Sequence, residues 1–250
     1  MTVQLEVDQP LDLAASLESG QAHRWRREGD WFSGVVRGNF IKVRQTSPYA
    51  PFSKGGQTPP LVPPFVRGGY GGVRLEFRSA PGPEASVAPL LQSYFRLDDD
   101  IQAIYAEISR DAKVAEMIAL YPGLRLLRVE PWECLISFIC SANNSIPNIH
   151  RNMERLAEAY GNPIYLDGQV RHTFPTPAQL AEASEMELRG LALGFRAPYV
   201  AQATRSVLEG RLDLDSLVRL PYPEAKARLM ECPGIGPKIA DCISVFSLEK

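Results

Sequence analysis

The sequence lacks a long apolar run, and its first residues lack the regions that make up a signal peptide. A helix that crosses a membrane needs about 20 consecutive, mostly apolar residues, and no run of that kind occurs. The N-terminal residues Met1–Asp8 carry neither a basic region nor an apolar core. We therefore predict an intracellular protein without a membrane partner, located in the cytoplasm or nucleoid of a bacterium or in the nucleus of a eukaryote.

Cysteine and excess basic charge are also scarce. The four cysteines form no Cys-x-x-Cys pair and have no histidine at zinc-site spacing; they are Cys134, Cys140, Cys232 and Cys242. We expect reduced, mostly buried thiols, and neither a metal site nor a cofactor. The net charge of −2 gives no general basic surface, so any DNA-binding site must be a local patch.

The first third of the chain has the pattern of an antiparallel sheet. Residues Trp31–Arg37 and Phe40–Arg44 are rich in strand-forming side chains, and residues Val73–Arg78 alternate apolar and charged positions. Between the last two, residues 47–72 are rich in proline and glycine and show almost no periodicity. We predict a β-sheet domain over residues 1–88, with 47–72 as a mobile insertion between two strands.

From about Leu90 the apolar period changes from two to near 3.6, which is typical of amphipathic helices. Two apolar stripes are predicted to face the core: Ile101, Ile104, Tyr105 and Ile108, and then Ile149, Met153, Leu156 and Tyr160. Ser184–Glu187 has the pattern of a capping box, and Pro198 is placed to begin a helix that runs to Gly210. We therefore predict a helical domain over residues 89–250 and an α+β fold.

The segment Leu229–Ala240 has the pattern of two short helices joined by Pro233-Gly-Ile-Gly236. Gly234 and Gly236 would allow a tight reversal and a close approach of the backbone to another surface. Amides of the turn and of the second helix would then be donors for a phosphate. The alternative, a glycine-terminated helix followed by a proline-started one, explains Gly234 but not Gly236. We interpret the segment as a helix-hairpin-helix DNA-binding element.

Lys238 begins the second helix of this element. The positive end of the helix dipole, and any partial burial, would disfavour its ammonium form, and lysines activated in this way form Schiff bases. The alternative is an exposed lysine that contacts a phosphate. Cys242 follows four residues later on the same helix face, so it would flank the atoms that Lys238 attacks.

The sequence resembles the 8-oxoguanine DNA glycosylase/AP lyase family, within the helix-hairpin-helix glycosylase superfamily. Ordered motifs carry the resemblance, which covers nearly everything except the insertion: Leu17–Trp25 (Leu-Glu-Ser-Gly-Gln-Ala-His-Arg-Trp), Arg125–Asn144, Leu193–Tyr199 (Leu-Gly-Phe-Arg-Ala-Pro-Tyr), the hairpin, and Ala240-Asp-Cys242. Several ordered motifs on one chain are more specific than any single motif.

The resemblance implies an N-terminal β-sheet domain packed on an all-helical glycosylase domain. It implies a monomer that acts in base-excision repair on duplex DNA containing 8-oxoguanine opposite cytosine, or an abasic site. The damaged base would be flipped out of the stack. The carbonyl of Gly20 would then accept the N7 hydrogen that 8-oxoguanine has and guanine lacks, and Cys242 would also contact the base.

The resemblance further implies three DNA contacts. Asn143 would fill the space left by the flipped base, Phe195 would be an aromatic wedge where family members often have tyrosine, and Arg196 would bind the estranged cytosine. By themselves, Phe195 predicts a core residue and Asn143 the end of a helix. Asn148 stands where the family has an arginine that helps to recognise cytosine. This difference puts the selectivity for cytosine as the opposite base in doubt.

The mechanism that the resemblance implies is glycosylase and β-lyase chemistry through Lys238. The family's catalytic aspartate follows the lysine by a little under twenty residues in a Pro-Val-Asp segment, and the sequence ends before that, at Lys250. We therefore expect a C-terminally truncated sequence. The alternative function is a non-catalytic or weakly active DNA-binding fragment. A third possibility, a Schiff-base enzyme for a small metabolite, would not require the Gly-Ile-Gly hairpin.

Overall fold

The computed structural model describes residues 2–46 and 73–250, so the predicted insertion at 47–72 lies outside the described residues. A five-stranded antiparallel sheet packs against helices, which confirms the α+β prediction. Among the described residues, no helix combines the length and apolar character needed to span a bilayer.

The sheet has the strand order β1-β5-β4-β3-β2. Its strands are β1 (Val3–Val7), β2 (Arg26–Glu28), β3 (Trp31–Val36), β4 (Asn39–Thr46) and β5 (Val73–Ala80). Alternation along β5 buries Leu75 and Phe77 completely. A Cβ atom at Gly34 would lie only 2.4 Å from the indole of Trp25. That close approach fixes Trp25 in the core, where its Nε1 donates to Tyr94 Oη over 2.9 Å.

Helices make up most of the remaining chain. Their bounds are α1 (Leu13–Glu18), α2 (Glu84–Tyr94), α3 (Ile101–Ile108), α4 (Ala112–Leu120), α5 (Pro131–Cys140), α6 (Ile146–Tyr160), α7 (Pro177–Leu180), α8 (Glu185–Leu188), a π-helical turn (Arg189–Leu193), a 3-10 turn (Gly194–Arg196), α9 (Ala197–Leu208), α10 (Leu214–Leu217), α11 (Tyr222–Met230) and α12 (Pro237–Ser247). The predicted capping box at Ser184 is confirmed, since the side chains of Ser184 and Glu187 each accept from the other's backbone amide. The helix predicted from Pro198 is α9.

One continuous apolar core joins the sheet to the helices. Leu75 of β5, Leu135 of α5 and Ile243 of α12 all belong to the same buried cluster. Helix α2 runs across residue 88, where the predicted domain boundary lies. The division into 1–88 and 89–250 therefore stays a prediction, and sheet and helices share their interior.

The expectation of an all-helical second part is wrong at one place. A two-stranded hairpin, β6 (Pro163–Leu166) and β7 (Gln169–His172), follows α6. Arg171 attaches it to the sheet, because its Nη2 donates to the carbonyl of Arg24 over 2.9 Å and its Nη1 to that of Ser33 over 3.3 Å. The strands are only four residues long, too short for their alternation to stand out from the helical pattern around them.

A buried ionic cluster sits beneath this hairpin. The carboxylate of Glu154 on α6 lies 3.0 Å from Arg24, 3.0 Å from Arg171 and 2.7 Å from Arg26. Burial by itself would raise the pKa of Glu154, but the charges of the three arginines outweigh burial and lower it. One carboxylate therefore holds together the sheet side, α6 and the hairpin.

The two predicted apolar stripes have different outcomes. Ile149, Met153 and Leu156 of α6 are buried as predicted, with Tyr160 partly buried. On α3 the prediction is wrong for Ile104 and Ile108, which are exposed while Ile101 is buried. The reason is that α3 packs chiefly against α4 and places only its first turn in the core.

Candidate DNA-binding and catalytic site

The predicted hairpin between α11 and α12 is present. Its turn is closed by the amide of Ile235, which donates to the carbonyl of Cys232 over 3.1 Å, and both side chains are buried. Gly234 has φ +90°, and a Cβ atom there would lie 2.6 Å from the ring of Tyr199. The fold therefore requires glycine at position 234.

Gly236 is different. Its φ is −89°, and a Cβ atom there would meet no heavy atom within 4 Å among the described residues. Within the described part of the chain no side chain caps the N-terminus of α12, so the first amides of this helix remain available to an external acceptor. No contact within the described fold requires glycine at position 236.

Lys238 is the second residue of α12, as predicted, and its side chain is exposed. The partial burial considered for it is absent. Its Nζ lies 5.7 Å from the ring centroid of Phe138 on α5, within the range of a cation–π contact. Phe138 stacks on Phe246 of α12 at 5.6 Å. The amine therefore stands over an aromatic floor built from α5 and α12.

His23 lies behind that floor and was not identified from the sequence. It is 3% exposed, its ring is 5.9 Å from Phe138 and 5.4 Å from His150, and neither nitrogen has a hydrogen-bond partner among the described residues. Burial first, and then the charges of His150 and Lys238, lower the pKa of His23 to about 4. His23 is therefore neutral at physiological pH.

Gly20 lines a cavity of about 300 Å³ that it shares with Leu17, Glu18, Trp25, Arg27, Phe32, Ile146 and His150. Its φ is +84°, and a Cβ atom there would lie 3.1 Å from Ile146 Cδ1. Gln21, the residue after Gly20, is buried and held in place. Its Nε2 donates to the carbonyl of Arg125 over 2.9 Å, and its Oε1 accepts from the amide of Leu127 over 2.8 Å. Ring contacts through His150, His23 and Phe138 connect this cavity with Lys238.

Asn143 and Phe195 are both exposed, on two different loops. Asn143 has φ +47°, a conformation that non-glycine residues adopt rarely. Phe195 is 50% exposed and follows Ala192 at φ +66° and Gly194 at φ +58°. The exposure of Phe195 contradicts the core alternative. Asn143 stands two residues after the C-cap of α5, so both readings of that residue stay open.

Arg196 ties the two loops together. Its Nε donates to the carbonyl of Ala142 over 2.7 Å and its Nη2 to that of Asn143 over 2.7 Å, so the guanidinium is buried within the protein. In this structure Arg196 holds the loop that contains Asn143. Asn148 is exposed and its Oδ1 accepts from Arg151.

The remaining candidate residues on α12 have separate environments. Cys242 lies one turn after Lys238, partly buried against the core. Asp241, the acidic residue nearest to Lys238 in sequence, instead pairs with Lys226 at 2.7 Å and accepts from Tyr222 Oη at 2.8 Å. Within 2–46 and 73–250, no three histidine, cysteine or acidic side chains are grouped to hold a metal ion.

A second, larger cleft of about 660 Å³ shares no lining residue with the Gly20 cavity. It is bordered by α5, the β7–α7 connection and the α9–α10 connection, with Trp132, Glu133 and Phe174 among its lining. Burial is the largest influence on Glu133 and raises its pKa to about 7.

Comparison with known proteins identifies the family. The family model described as the N-terminal domain of 8-oxoguanine DNA glycosylase matches residues 3–135. The chain belongs to the 8-oxoguanine DNA glycosylase family. A relative from Saccharomyces cerevisiae named N-glycosylase/DNA lyase is 31% identical over 95% of the chain. The chain spans 63% of that relative's length and 61% of the length of a relative from Arabidopsis thaliana.

Solved structures of this glycosylase family superpose over nearly the whole chain. The apo form of Clostridium acetobutylicum 8-oxoguanine glycosylase/lyase is 28% identical, with a TM-score of 0.84 over 100% of this chain and 78% of that one. The same enzyme with double-stranded DNA containing cytosine opposite 8-oxoguanine gives 26% identity and a TM-score of 0.81, over 99% of this chain and 79% of that one.

The two ring contacts of His23 could not be predicted from the sequence, because residue 23 is distant along the chain from residues 138 and 150.

Proposed function

We propose that the chain binds damaged duplex DNA as a monomer and removes 8-oxoguanine through a covalent intermediate on Lys238, followed by β-elimination. The observation that carries the proposal is the position of Lys238. Its exposed amine stands at the start of α12, over Phe138, beside a hairpin with open backbone amides. A hairpin that holds the sugar-phosphate backbone would place this amine next to a deoxyribose.

Lys238 is proposed as the nucleophile. The lone pair of its amine attacks C1′, and the bond from C1′ to N9 of the base breaks with its electron pair leaving on the base, which takes up a proton from solvent. The nitrogen then gives up one proton to O4′ as the C1′–O4′ bond breaks, and the ring-opened product is an iminium between Nζ and C1′. The iminium withdraws electrons from C2′, a proton leaves C2′, and the 3′ phosphate departs with the electron pair of its C–O bond.

Gly20 is proposed to recognise the flipped base through its carbonyl. A hydrogen at N7 would donate to that oxygen, whereas guanine would present a lone pair to it, and an unpaired buried acceptor costs about 1–3 kcal/mol. The bonds from Gln21 to Arg125 and Leu127 support the proposal, because they hold the adjoining backbone in place. Cys242 is proposed to line the other side of the base.

The hairpin is proposed to bind the DNA backbone through Gly234 and Gly236. Asn143 is proposed to enter the gap in the duplex, with Phe195 as the wedge beside it and Arg196 as the contact to the opposite base. The exposure of Asn143 and Phe195 supports these roles. Phosphate contacts supply affinity that does not depend on sequence, and the two loops would supply recognition of the lesion.

A second candidate is a DNA-binding chain with weak excision. The observation in its favour is that the carboxylate of Asp241 pairs with Lys226 and accepts from Tyr222, so it does not assist at the sugar. An active site without a group that stabilises developing charge is typically slower by about a hundredfold or more, so excision of the base would be weak. Cleavage of an abasic site, which needs no base pocket, would suffer less.

Borohydride trapping tests both candidates. The 250-residue chain is incubated at low salt with duplexes that contain 8-oxoguanine opposite cytosine or an abasic site, beside the variants Lys238→Gln and Lys226→Gln. We expect a covalent adduct with the abasic duplex, lost in Lys238→Gln and retained in the control Lys226→Gln. Rapid excision of 8-oxoguanine supports the first candidate, trapping on the abasic duplex alone supports the second, and an adduct that survives Lys238→Gln excludes Lys238 as the nucleophile.

A further inference from the structure

Asn152 is a polar residue in the middle of the apolar face of α6. It lies three residues after the buried Ile149 and next to the buried Met153, and it is 4% exposed. A buried amide is costly unless both of its ends are hydrogen-bonded. Its position in the core therefore points to specific partners.

Both ends of the Asn152 side chain have partners, and these lie on two different loops. Its Nδ2 donates to the carbonyl of Ala192 over 3.1 Å, and its Oδ1 accepts from Nδ2 of Asn144 over 3.1 Å. Asn144 is fixed in turn, because the same Nδ2 also donates to the carbonyl of Cys140 over 2.9 Å. An unbroken series of hydrogen bonds thus runs from the end of α5 to the turn before α9.

These two loops are the ones that present the exposed DNA-facing side chains. We name residues 141–145 the plug loop, after Asn143, and residues 189–196 the wedge loop, after Phe195. Each contains a non-glycine residue at positive φ, Asn143 at +47° and Ala192 at +66°. Such conformations are strained and persist only where the surroundings enforce them. Asn152 bonds directly to Ala192 and to Asn144, which is the residue next to Asn143.

We infer that Asn152 is a positioning residue that sets the spacing between the plug loop and the wedge loop, so that Asn143 and Phe195 enter damaged DNA together. The inference rests on the proposed function. Position 152 requires an amide, because asparagine offers a donor to the Ala192 carbonyl and at the same time an acceptor to Asn144. Aspartate keeps the acceptor and loses the donor, and leucine keeps the approximate volume and loses both.

Arg196 makes a second link, from the wedge loop to the carbonyls of Ala142 and Asn143. That link involves a residue that is itself proposed to contact DNA, so it has to be released during recognition. Asn152 faces the core and can remain bonded while Arg196 exchanges its partners. The spacing of the loops is therefore preserved when the guanidinium turns outward.

The test compares the affinity of the full chain for a duplex with a stable abasic-site analogue and for the same duplex undamaged. The variants are Asn152→Leu, Asn152→Asp and Asn144→Ala, with Met153→Leu as a control that alters the next buried side chain of the same helix and removes no hydrogen-bonding group. A 2-aminopurine beside the lesion reports the unstacking that the wedge produces.

We expect the ratio of damaged to undamaged affinity to fall about tenfold in each variant, as the loss of one or two hydrogen bonds implies. The 2-aminopurine signal should fall with it, while binding to undamaged duplex changes less than about twofold because the hairpin supplies it. Met153→Leu should leave the ratio and the signal unchanged at any cost in stability.

An unchanged ratio in the Asn152 and Asn144 variants overturns the inference while leaving the proposed function intact. An equal fall in Met153→Leu also overturns it, because the effect is then a general loss of packing. A wild-type chain that shows no preference for the damaged duplex contradicts the proposed function itself, and the inference falls with it. Asn144→Ala alters a partly exposed position and keeps the test informative if the core variants do not fold.

Discussion

The imidazole of His23 lies 5.4 Å from the imidazole of His150, with the two ring planes at 71°. His150 lines the Gly20 cavity, and His23 also contacts Phe138, the ring beneath Lys238. Burial lowers the pKa of both histidines, that of His23 to about 4. The wall between the two halves of the site is therefore uncharged at neutral pH and acquires charge only in acid.

His23 should make the protein acid-sensitive. A lowered pKa contributes stability that is present above the ordinary value near 6.5 and is lost as the pH falls towards 4. Between pH 7 and pH 4 we expect the free energy of unfolding of the wild-type chain to fall by about 2–3 kcal/mol more than that of His23→Phe. Urea denaturation at several pH values measures the difference, and parallel curves for the two proteins would contradict a depressed pKa at His23.

Glu133 should have the opposite effect, so that the protein loses stability as the pH rises. Its pKa is raised to about 7, so its contribution is fully present below about 4.5 and is lost as the pH rises through 7. Between pH 5 and pH 8.5 we expect the free energy of unfolding of Glu133→Gln to rise by about 2 kcal/mol relative to that of the wild type. This value is reduced for the partial exposure of the side chain. Thermal denaturation across this range checks the sign, and a gain that appears only in acid would refute it.

Removing the carboxylate of Glu154 should be among the most damaging single changes. Glu154→Gln leaves Arg24 and Arg171 buried without their counter-charge, and breaking a buried pair in this way costs about 3–5 kcal/mol. Equilibrium unfolding in urea measures the loss. The exposed pair of Arg189 and Glu185 provides a matched control, and Glu185→Gln should cost less than about 0.5 kcal/mol.

The two hairpin glycines should separate stability from DNA binding. Gly234→Ala forces a Cβ atom against Tyr199 at a positive φ, and we expect it to destabilise the fold by about 1–3 kcal/mol. Gly236→Ala should change stability by less than about 0.5 kcal/mol and still weaken binding to undamaged duplex. Melting curves and a salt titration of binding test the pair, and full DNA affinity in Gly236→Ala would show that the backbone does not approach there.

Selectivity for the opposite base should be weak in this chain. Arg196 is engaged with the plug loop, and Asn148 offers no guanidinium to the acceptors of cytosine. We expect binding to 8-oxoguanine duplexes to differ by less than about tenfold between cytosine and adenine opposite the lesion, a factor of ten being about 1.4 kcal/mol. Asn148→Arg should raise the preference for cytosine, and a strong preference already present in the wild type would contradict this account.

The parts of the site that were predicted from sequence are those with a local signal. Gly234, Gly236 and Lys238 stand within five consecutive residues whose turn and helix start follow from glycine and proline chemistry. The stripe of α6 was predicted for the same reason. Ile104 and Ile108 have an equally regular pattern and are exposed, because periodicity indicates a helix and not which neighbour covers it.

Other features depend on tertiary contacts alone. His23 and His150 are separated by more than a hundred residues, and their contact follows from how the loop before β2 meets α6. Asn152 did leave a trace in the sequence, since it occupies an i+3 position of the apolar stripe that begins at Ile149. A polar residue at a core position indicates a specific partner, although the sequence does not say which one.

The shared core has a consequence for how this protein can change. Gly20 lies near the sheet and Lys238 on the last helix, while Leu75 and Ile243 belong to one buried cluster. The β-sheet region is therefore not packed as an independent module, and we expect a substitution in its interior to shift the Gly20 cavity relative to the amine of Lys238. The proposed recognition of the base and the proposed attack on its sugar would then vary together.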